Sequence, residues 1–546
     1  MYKLVYTGAN KHEMGCLMPD RDMYAKPKSK LYTVEDVAEV LQFQPETIRQ
    51  MAREARLPAR KVGKAWRFDQ NEIDSWIRSQ QSTAPIEIDL ETRIAELTLP
   101  LLDVEPQRSD GTPFKDPSFS ENRGEPVHRW VPWIAGFSSG FVRDCLSEYL
   151  SGTDASSTLV LDPFAGVGTT LVEAARHGYN TAGFEINPWA ALACRAKMEA
   201  VDVSVSSLEL WTKTFGYYMH EFMENGEPDV NMEPEGFRSR IPFFSASIRR
   251  QVLWALRFID LTGDPKLRDL FLVAFGSVMV RFSNYSYEPS LASRPGCGKP
   301  LIETADVAAT VISKLHDIAR DCRYFQDSAG ANAAARTRDV FQASVFDARQ
   351  HIAPASVDLA ITSPPYLNNY HYVRNTRPHL FWLKFIETTA GLKEIEHASF
   401  GKFWQTVRAG ERIPLQFKMP ELEEILFTLS CTNTEKGVYG GQGWANYAAQ
   451  YFNDTFRFCE VMRDLLKPGG RLVIVIGNSI LQGHELRVDH FLSRIAQLHG
   501  LETEARHVLR TKRVGNSIIR SSVRNDAGEH ASLYEVSIVL QKPHDQ

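Results

Sequence analysis

LDPFAGVGTT, residues 161–170, ends the apolar run SSTLVLD and opens the helical stretch LVEAARHG, so it reads as a buried strand, a glycine turn and a helix start. Asp162 closes the strand, and Gly166 and Gly168 fall in the turn, where a backbone without Cβ can approach a ligand closely. A second strand, NTAGFEIN, places Glu185 about twenty residues beyond the turn, where a carboxylate can accept from both hydroxyls of a ribose. Asp347, in SVFDA, is expected at the end of a third strand and in reach of an adenine amino group. Any tight strand-to-helix turn uses glycines at this spacing; the pairing with Glu185 is what favours a nucleoside-like ligand.

TSPPY, residues 362–366, follows the apolar strand VDLAI and so lies at a carboxyl end of the sheet, where open α/β folds bind ligands. Ser363 offers a hydroxyl and a carbonyl, Pro364 and Pro365 fix φ and stiffen the loop, and Tyr366 presents an aromatic face. DPFAGVGTT resembles the cofactor motif of S-adenosylmethionine-dependent DNA amino-methyltransferases, and TSPPY resembles their catalytic motif. The resemblance implies a Rossmann-like methyltransferase fold with a mostly parallel sheet. It also implies that Asp162, Phe164, Gly166, Gly168, Thr169, Glu185 and Asp347 hold S-adenosylmethionine. Residues 127–146 are similar to the family's segment that closes over the methionine carboxylate, and LKPGG, residues 466–470, resembles the turn before the fifth strand.

A base amine is a poor nucleophile because its lone pair is delocalised into the ring. Acceptors on a rigid backbone must draw its nitrogen toward tetrahedral geometry and aim it at the sulfonium methyl. Ser363 Oγ and the Ser363 or Pro364 carbonyl are the expected acceptors, and Tyr366 the platform for a base rotated out of the duplex. Ser before Pro-Pro-Tyr resembles the N4-cytosine branch of the family, whereas an acid or Asn there resembles the N6-adenine branch; members with S-P-P-Y are also associated with adenine. Cytosine N4 is the expected target and adenine N6 the alternative. The continuation LNNYHYVRNTRPHLFWL is similar to the segment just past the motif in many such enzymes, with Asn368, Tyr370, Tyr372 and Arg374 as base-pocket candidates.

Residues 31–77 break into a helix from Val34, a turn near Phe43 and a helix beginning at Pro45, with Val37, Leu41, Ile48 and Met51 at packing positions. The segment closely resembles the excisionase-like winged helix-turn-helix. That resemblance makes Thr47, Arg49, Gln50 and Arg53 groove-facing and puts Lys64 and Arg67 on a wing along the phosphates. A second basic cluster, Arg506, Arg510, Lys512, Arg513, Arg520 and Arg524, contains no acid and suggests a loop over DNA.

The expected layout is an arm at 1–30, the helix-turn-helix at 31–80, a linker at 81–126 and the methyltransferase domain at 127–546. Four stretches with helical apolar spacing form an insertion at about 200–335. Target reading is expected either in residues 283–299, rich in Tyr, Ser, Arg and Gly, or in residues 395–445. The formal charge of -5 gives no global attraction to nucleic acid, so phosphate binding must be local. Seven scattered cysteines with no C-x-x-C pair support neither disulfides nor a metal site. No secretion signal or membrane span is read, so the cytoplasm is expected. The expected partners are duplex DNA and a cognate restriction endonuclease or other defence proteins. An RNA base methyltransferase would share the cofactor and catalytic motifs but more often carries an RNA-binding module. A regulator with a degenerate fold is opposed by intact Phe164, Glu185 and Ser363.

Overall fold

Short runs rich in Val, Ile and Leu, each bounded by glycine, proline or a capping residue, pair into one sheet that carries the larger unit of the chain. The computed structural model describes residues 31–41, 45–53, 57–63, 65–73, 114, 119–133, 136–225, 233–287, 290–367, 371–513 and 532–544. The chain divides into two units, residues 1–103 and 104–546.

In the second unit the strands are β1 (Leu159–Asp162), β2 (Asn180–Phe184), β3 (Arg338–Phe341), β4 (Val357–Thr362), β5 (Leu466–Gly477), β6 (Glu502–Arg513) and β7 (Ser532–Gln541). Their order is β6-β7-β5-β4-β1-β2-β3. Neighbours run parallel except around β7, which is antiparallel to both β5 and β6. The two-residue period sends Val160, Leu359, Ile361, Val473 and Val475 to one face, against helix Ser139–Leu150, and Leu161, Ala360, Leu472 and Ile474 to the other. Both faces are covered, which is why these strands are apolar throughout. Chain order reverses between β1 and β4, so the loops leaving their carboxyl ends diverge and leave a crevice.

Helices Val205–Asn225, Ala246–Leu261, Pro265–Val278 and Val307–Ala334 fill the connection between helix Pro188–Met198 and β3. Asp264 starts the third by accepting from the backbone N–H of Lys266 and Leu267, and Asp306 starts the fourth by accepting from Ala309. A two-stranded hairpin, Tyr285–Tyr287 with Leu291–Ser293, lies within residues 283–299. SVFDA, expected as a strand, is instead a 3-10 turn, Val345–Gln350. Ser344 accepts from the Phe346 N–H and turns the chain, and the third strand is the preceding Arg338–Phe341. Residues 119–126, expected within a linker, lie in the second unit. Buried Asn122 donates to the Phe137 carbonyl (3.1 Å) and accepts from the Ser139 N–H (2.9 Å).

In the first unit, helices Val34–Leu41 and Pro45–Arg53 stand with a three-stranded sheet of Leu31–Tyr32, Ala65–Asp69 and Arg60–Val62, in that order. Thr33 and Asp36 cap the first helix reciprocally: Asp36 accepts from the Thr33 N–H and Thr33 Oγ1 accepts from the Asp36 N–H. Val37, Ile48, Phe68 and Ile73 are fully buried. The fold is thus α/β with a mostly parallel sheet and a helical insertion, preceded by an N-terminal winged helix-turn-helix. The arm expected at 1–30 and residues 81–113 of the expected linker lie outside the described residues.

Candidate active cleft

The carboxyl ends of β1 and β4 are tied together by one side chain. Asp162 Oδ1 accepts from the Phe164 N–H (3.1 Å) and from Thr362 Oγ1 (2.8 Å), so the glycine turn and the loop that begins at Ser363 share an anchor. Burial pushes the Asp162 carboxyl up to about 6. Gly166 has φ 51° and donates its N–H to Glu185 Oε2 (2.9 Å); a Cβ there would stand 3.3 Å from the Trp133 indole nitrogen. Glu185 Oε1 accepts from the Asn187 N–H (2.7 Å), and burial pushes this carboxyl up to about 7. Backbone N–H groups thus fix the orientation of the Glu185 carboxylate. Asn187 in turn donates to Thr376 Oγ1 (2.8 Å), joining the exit of β2 to helix Tyr372–Trp382.

Ser363, Pro365 and Tyr366 line the same cleft as Asp162, Phe164, Gly166, Thr169 and Glu185. The cleft they line is open to solvent. Tyr366 and Ser363 share a hydrogen bond, and burial pushes the phenol up. Ser479 Oγ donates to the Leu367 carbonyl (2.7 Å) and fixes the exit of the loop. Pro364 is buried outside the lining.

Several expected residues stand elsewhere. Gly168, at φ 85°, is not part of the lining. A Cβ there would be 2.8 Å from Cys194 Sγ, so this glycine serves the close packing of helix Thr169–Arg176 on helix Pro188–Met198. Asp347 is exposed on its 3-10 turn, and Ala343, Ser344 and Val345 take its expected place at the cleft. Arg374 is exposed and off the cleft, whereas Tyr372 lines it; Asn368 and Tyr370 lie outside the described residues.

The first part of the 395–445 stretch forms cleft wall, with Glu396, Phe400, Lys402 and Phe403 in the lining. Phe400 meets Phe164 at 5.2 Å between ring centroids, and Phe403 lies 3.7 Å from the His371 ring. Burial pushes His371 down to about 4, so its 3.4 Å contact with Glu396 is that of a neutral imidazole at pH 7. Trp133 stacks with Tyr372 at 6.3 Å and completes the opposite wall. Glu396, Phe400, Lys402 and Phe403 sit in no motif, and no local periodicity marks them.

Among the basic candidates, Arg49 pairs with Glu35 (2.8 Å), Arg53 is exposed at the helix end, and half-buried Arg67 donates to the Trp66 carbonyl (2.9 Å). The side chains of Thr47, Gln50, Lys64, Lys512 and Arg513 lie outside the described residues. Arg506 and Arg510 are paired with Asp489 and Glu535, acids that the sequence run itself does not contain. Among the described residues, no group of three or more His, Cys, Asp or Glu is placed to hold a metal ion, and no helix is long and apolar enough to cross a membrane.

A cleft at the switch point of a mostly parallel sheet, with Glu185 on one side and a Ser-Pro-Pro-Tyr loop on the other, lies where open α/β folds bind ligands. Type II methyltransferases are similar to it over most of its length. M.BsoBI of Geobacillus stearothermophilus is 24% identical over 437 residues, covering 73% of this chain and 83% of its own. M.AvaI of Nostoc sp. is 25% identical over 423 residues, covering 73% and 84%. The helix-turn-helix domain family matches residues 31–81. Among solved structures, the rRNA methyltransferase aviRa from Streptomyces viridochromogenes aligns over 76% of this chain and 88% of its own, at 8% identity and a TM-score of only 0.26.

Proposed function

We propose that this protein transfers a methyl group from S-adenosylmethionine to the exocyclic N4 amine of cytosine at a specific site in duplex DNA, as the modification partner of a restriction enzyme. The observation that carries the reading is that one cleft holds both Glu185 with Gly166 and Ser363 with Tyr366. The type II methyltransferase relatives support the activity and its setting, and the N-terminal helix-turn-helix supports duplex DNA as the substrate.

When bound, S-adenosylmethionine supplies an electrophilic methyl on a sulfonium. The residues present suit it. Glu185, oriented by backbone N–H groups of Gly166, Ile186 and Asn187, keeps acceptor capacity for a ribose hydroxyl. Gly166 leaves room beside Trp133, and Phe164 gives an apolar wall.

On the other side, Ser363 accepts from the base amine and turns its nitrogen toward the donor, on a loop stiffened by Pro364 and Pro365 and anchored through Thr362 to Asp162. Tyr366 and Phe403 offer aromatic surfaces for a base taken out of the stack. No strong base is required, because the amine becomes far more acidic as it gains the methyl. Ser363 ahead of Pro-Pro-Tyr carries the choice of cytosine over adenine. Nucleoside analysis of DNA from cells expressing the protein is expected to show N4-methylcytosine. N6-methyladenine in its place would overturn the target base, and no new base would overturn the activity.

A further inference from the structure

Behind the approach of Trp133 to Gly166 lies a set of buried charges that neither motif uses. Asp321, on insertion helix Val307–Ala334, is 1% exposed, and its carboxylate accepts four hydrogen bonds. They come from the Val127 N–H (2.9 Å), Arg129 Nε (3.0 Å) and Nη2 (2.5 Å), and the Trp130 indole N–H (3.0 Å). Lys314, on the same helix, donates to the Arg129 carbonyl (2.9 Å). Lys197, with no exposed surface, reaches in from helix Pro188–Met198 and donates to the Val167 carbonyl (2.9 Å) and the His128 carbonyl (3.4 Å). Its ammonium thus spans the glycine turn on one side and residues 127–133 on the other.

The backbone there is strained. Val127 sits at φ 66°, ψ −47°, a region that a β-branched side chain avoids. Such a residue persists only where its surroundings over-determine it. Asp321 supplies that determination at the Val127 N–H itself, and the segment so held ends at Trp133, the wall opposite Gly166. A buried carboxylate is costly to keep, as is a buried lysine, whose ammonium burial pushes down to about 7, and here both are directed to one short segment.

We propose that Asp321 and Lys197 are positioning residues for the methyl donor: together they hold residues 127–133 in a strained form, so that the donor enters a cleft whose Trp133 wall is already in place. The helical insertion then has a role in donor binding, apart from any part in reading DNA. Preformed walls improve affinity by removing the ordering cost at binding. The proposal rests on the reading of this cleft as the donor site.

The test uses the full-length protein with Asp321→Asn, Asp321→Glu, Lys197→Met and Arg129→Gln. Amide hydrogen exchange over residues 127–133 without ligand, S-adenosylmethionine affinity by calorimetry and duplex DNA affinity are measured on each. Asp321→Asn and Lys197→Met are expected to speed exchange of the segment and raise the donor Kd by about tenfold, about 1.4 kcal/mol, while DNA affinity stays within about twofold. Asp321→Glu restores part of the loss. Arg129→Gln leaves the bonds of Asp321 to Val127 and Trp130 and should raise the donor Kd by a smaller factor, which keeps the test open if the Asp321 variant does not fold. Unchanged exchange and donor affinity in the folded variants would overturn the proposal. So would losses of donor and DNA binding that fall together with the melting temperature. Faster exchange in Asp321→Asn, in a protein whose wild type binds no S-adenosylmethionine, would overturn the functional reading instead.

Discussion

On the Glu185 side of the cleft the walls are held by ionisable groups: half-buried Glu185 and buried Asp162, with buried Lys197 and Asp321 behind them. On the Ser363 side the groups are mostly aromatic, Tyr366, Tyr372 and Phe403, with a His371 that burial keeps uncharged beside Glu396. The contrast fits two different ligands. A donor with a positive sulfonium and ribose hydroxyls suits carboxylate acceptors, whereas a neutral base amine needs acceptors and a stacking surface without a net charge. The two walls are joined by hydrogen bonds from Thr362 to Asp162 and from Asn187 to Thr376, which hold them together.

The sharpest way to break this contrast is Ser363→Ala. It is expected to lower kcat by about 10²–10³, the usual loss when one preorganised hydrogen-bonding group is removed, with the donor Kd within about twofold of wild type. A parallel loss of donor affinity in calorimetry would show that the walls are not separable. Glu185→Gln is the converse, raising the donor Kd by about ten- to a hundredfold for a lost charged hydrogen-bond acceptor, with DNA affinity retained.

The raised carboxyl of Glu185 gives this wall a pH signature. Ribose hydroxyls favour the ionised form, so donor affinity should fall as pH drops below about 7, and Glu185→Gln should flatten that dependence. In the ligand-free protein the sign is opposite: a carboxyl raised from 4.5 to about 7 contributes stability below 4.5 that is lost as pH rises through about 7. An affinity that is flat in wild type between pH 5 and pH 8 would remove Glu185 from the donor site.

Gly168→Ala separates packing from binding. Its positive φ and the Cys194 contact predict a loss of about 1–3 kcal/mol in denaturant unfolding, with the donor Kd little changed in protein that remains folded. The smallest effect is expected from removing residues 1–80. The KM for DNA should rise roughly fivefold through loss of a second contact, while kcat and donor affinity hold. Equal DNA affinity with and without the segment would deny it a role in binding.

The strand, turn and helix around LDPFAGVGTT, the TSPPY loop after its strand, the insertion helices and the helix-turn-helix were legible because each rests on local chemistry. Apolar period, glycine and proline φ preferences and capping residues act over a few positions. The same local reading fails at SVFDA, where a serine cap outweighs the apolar pair Val345 and Phe346, and at Gly168, whose close neighbour is Cys194. The charges of Arg506 and Arg510 looked free because their acids sit on other elements.

By itself, then, the sequence determined the order of elements and the two motifs, since both depend on residues close together in the chain. Tertiary structure alone decided that the motifs share one cleft, that residues near 400 form part of its wall, and that the insertion helix grips the wall opposite Gly166. The decisive bonds join Asp162 to Thr362 across 200 positions and Val127 to Asp321 across 194. No pattern of local spacing encodes such a pairing; it forms only when the sheet and the insertion helices bring the two partners together.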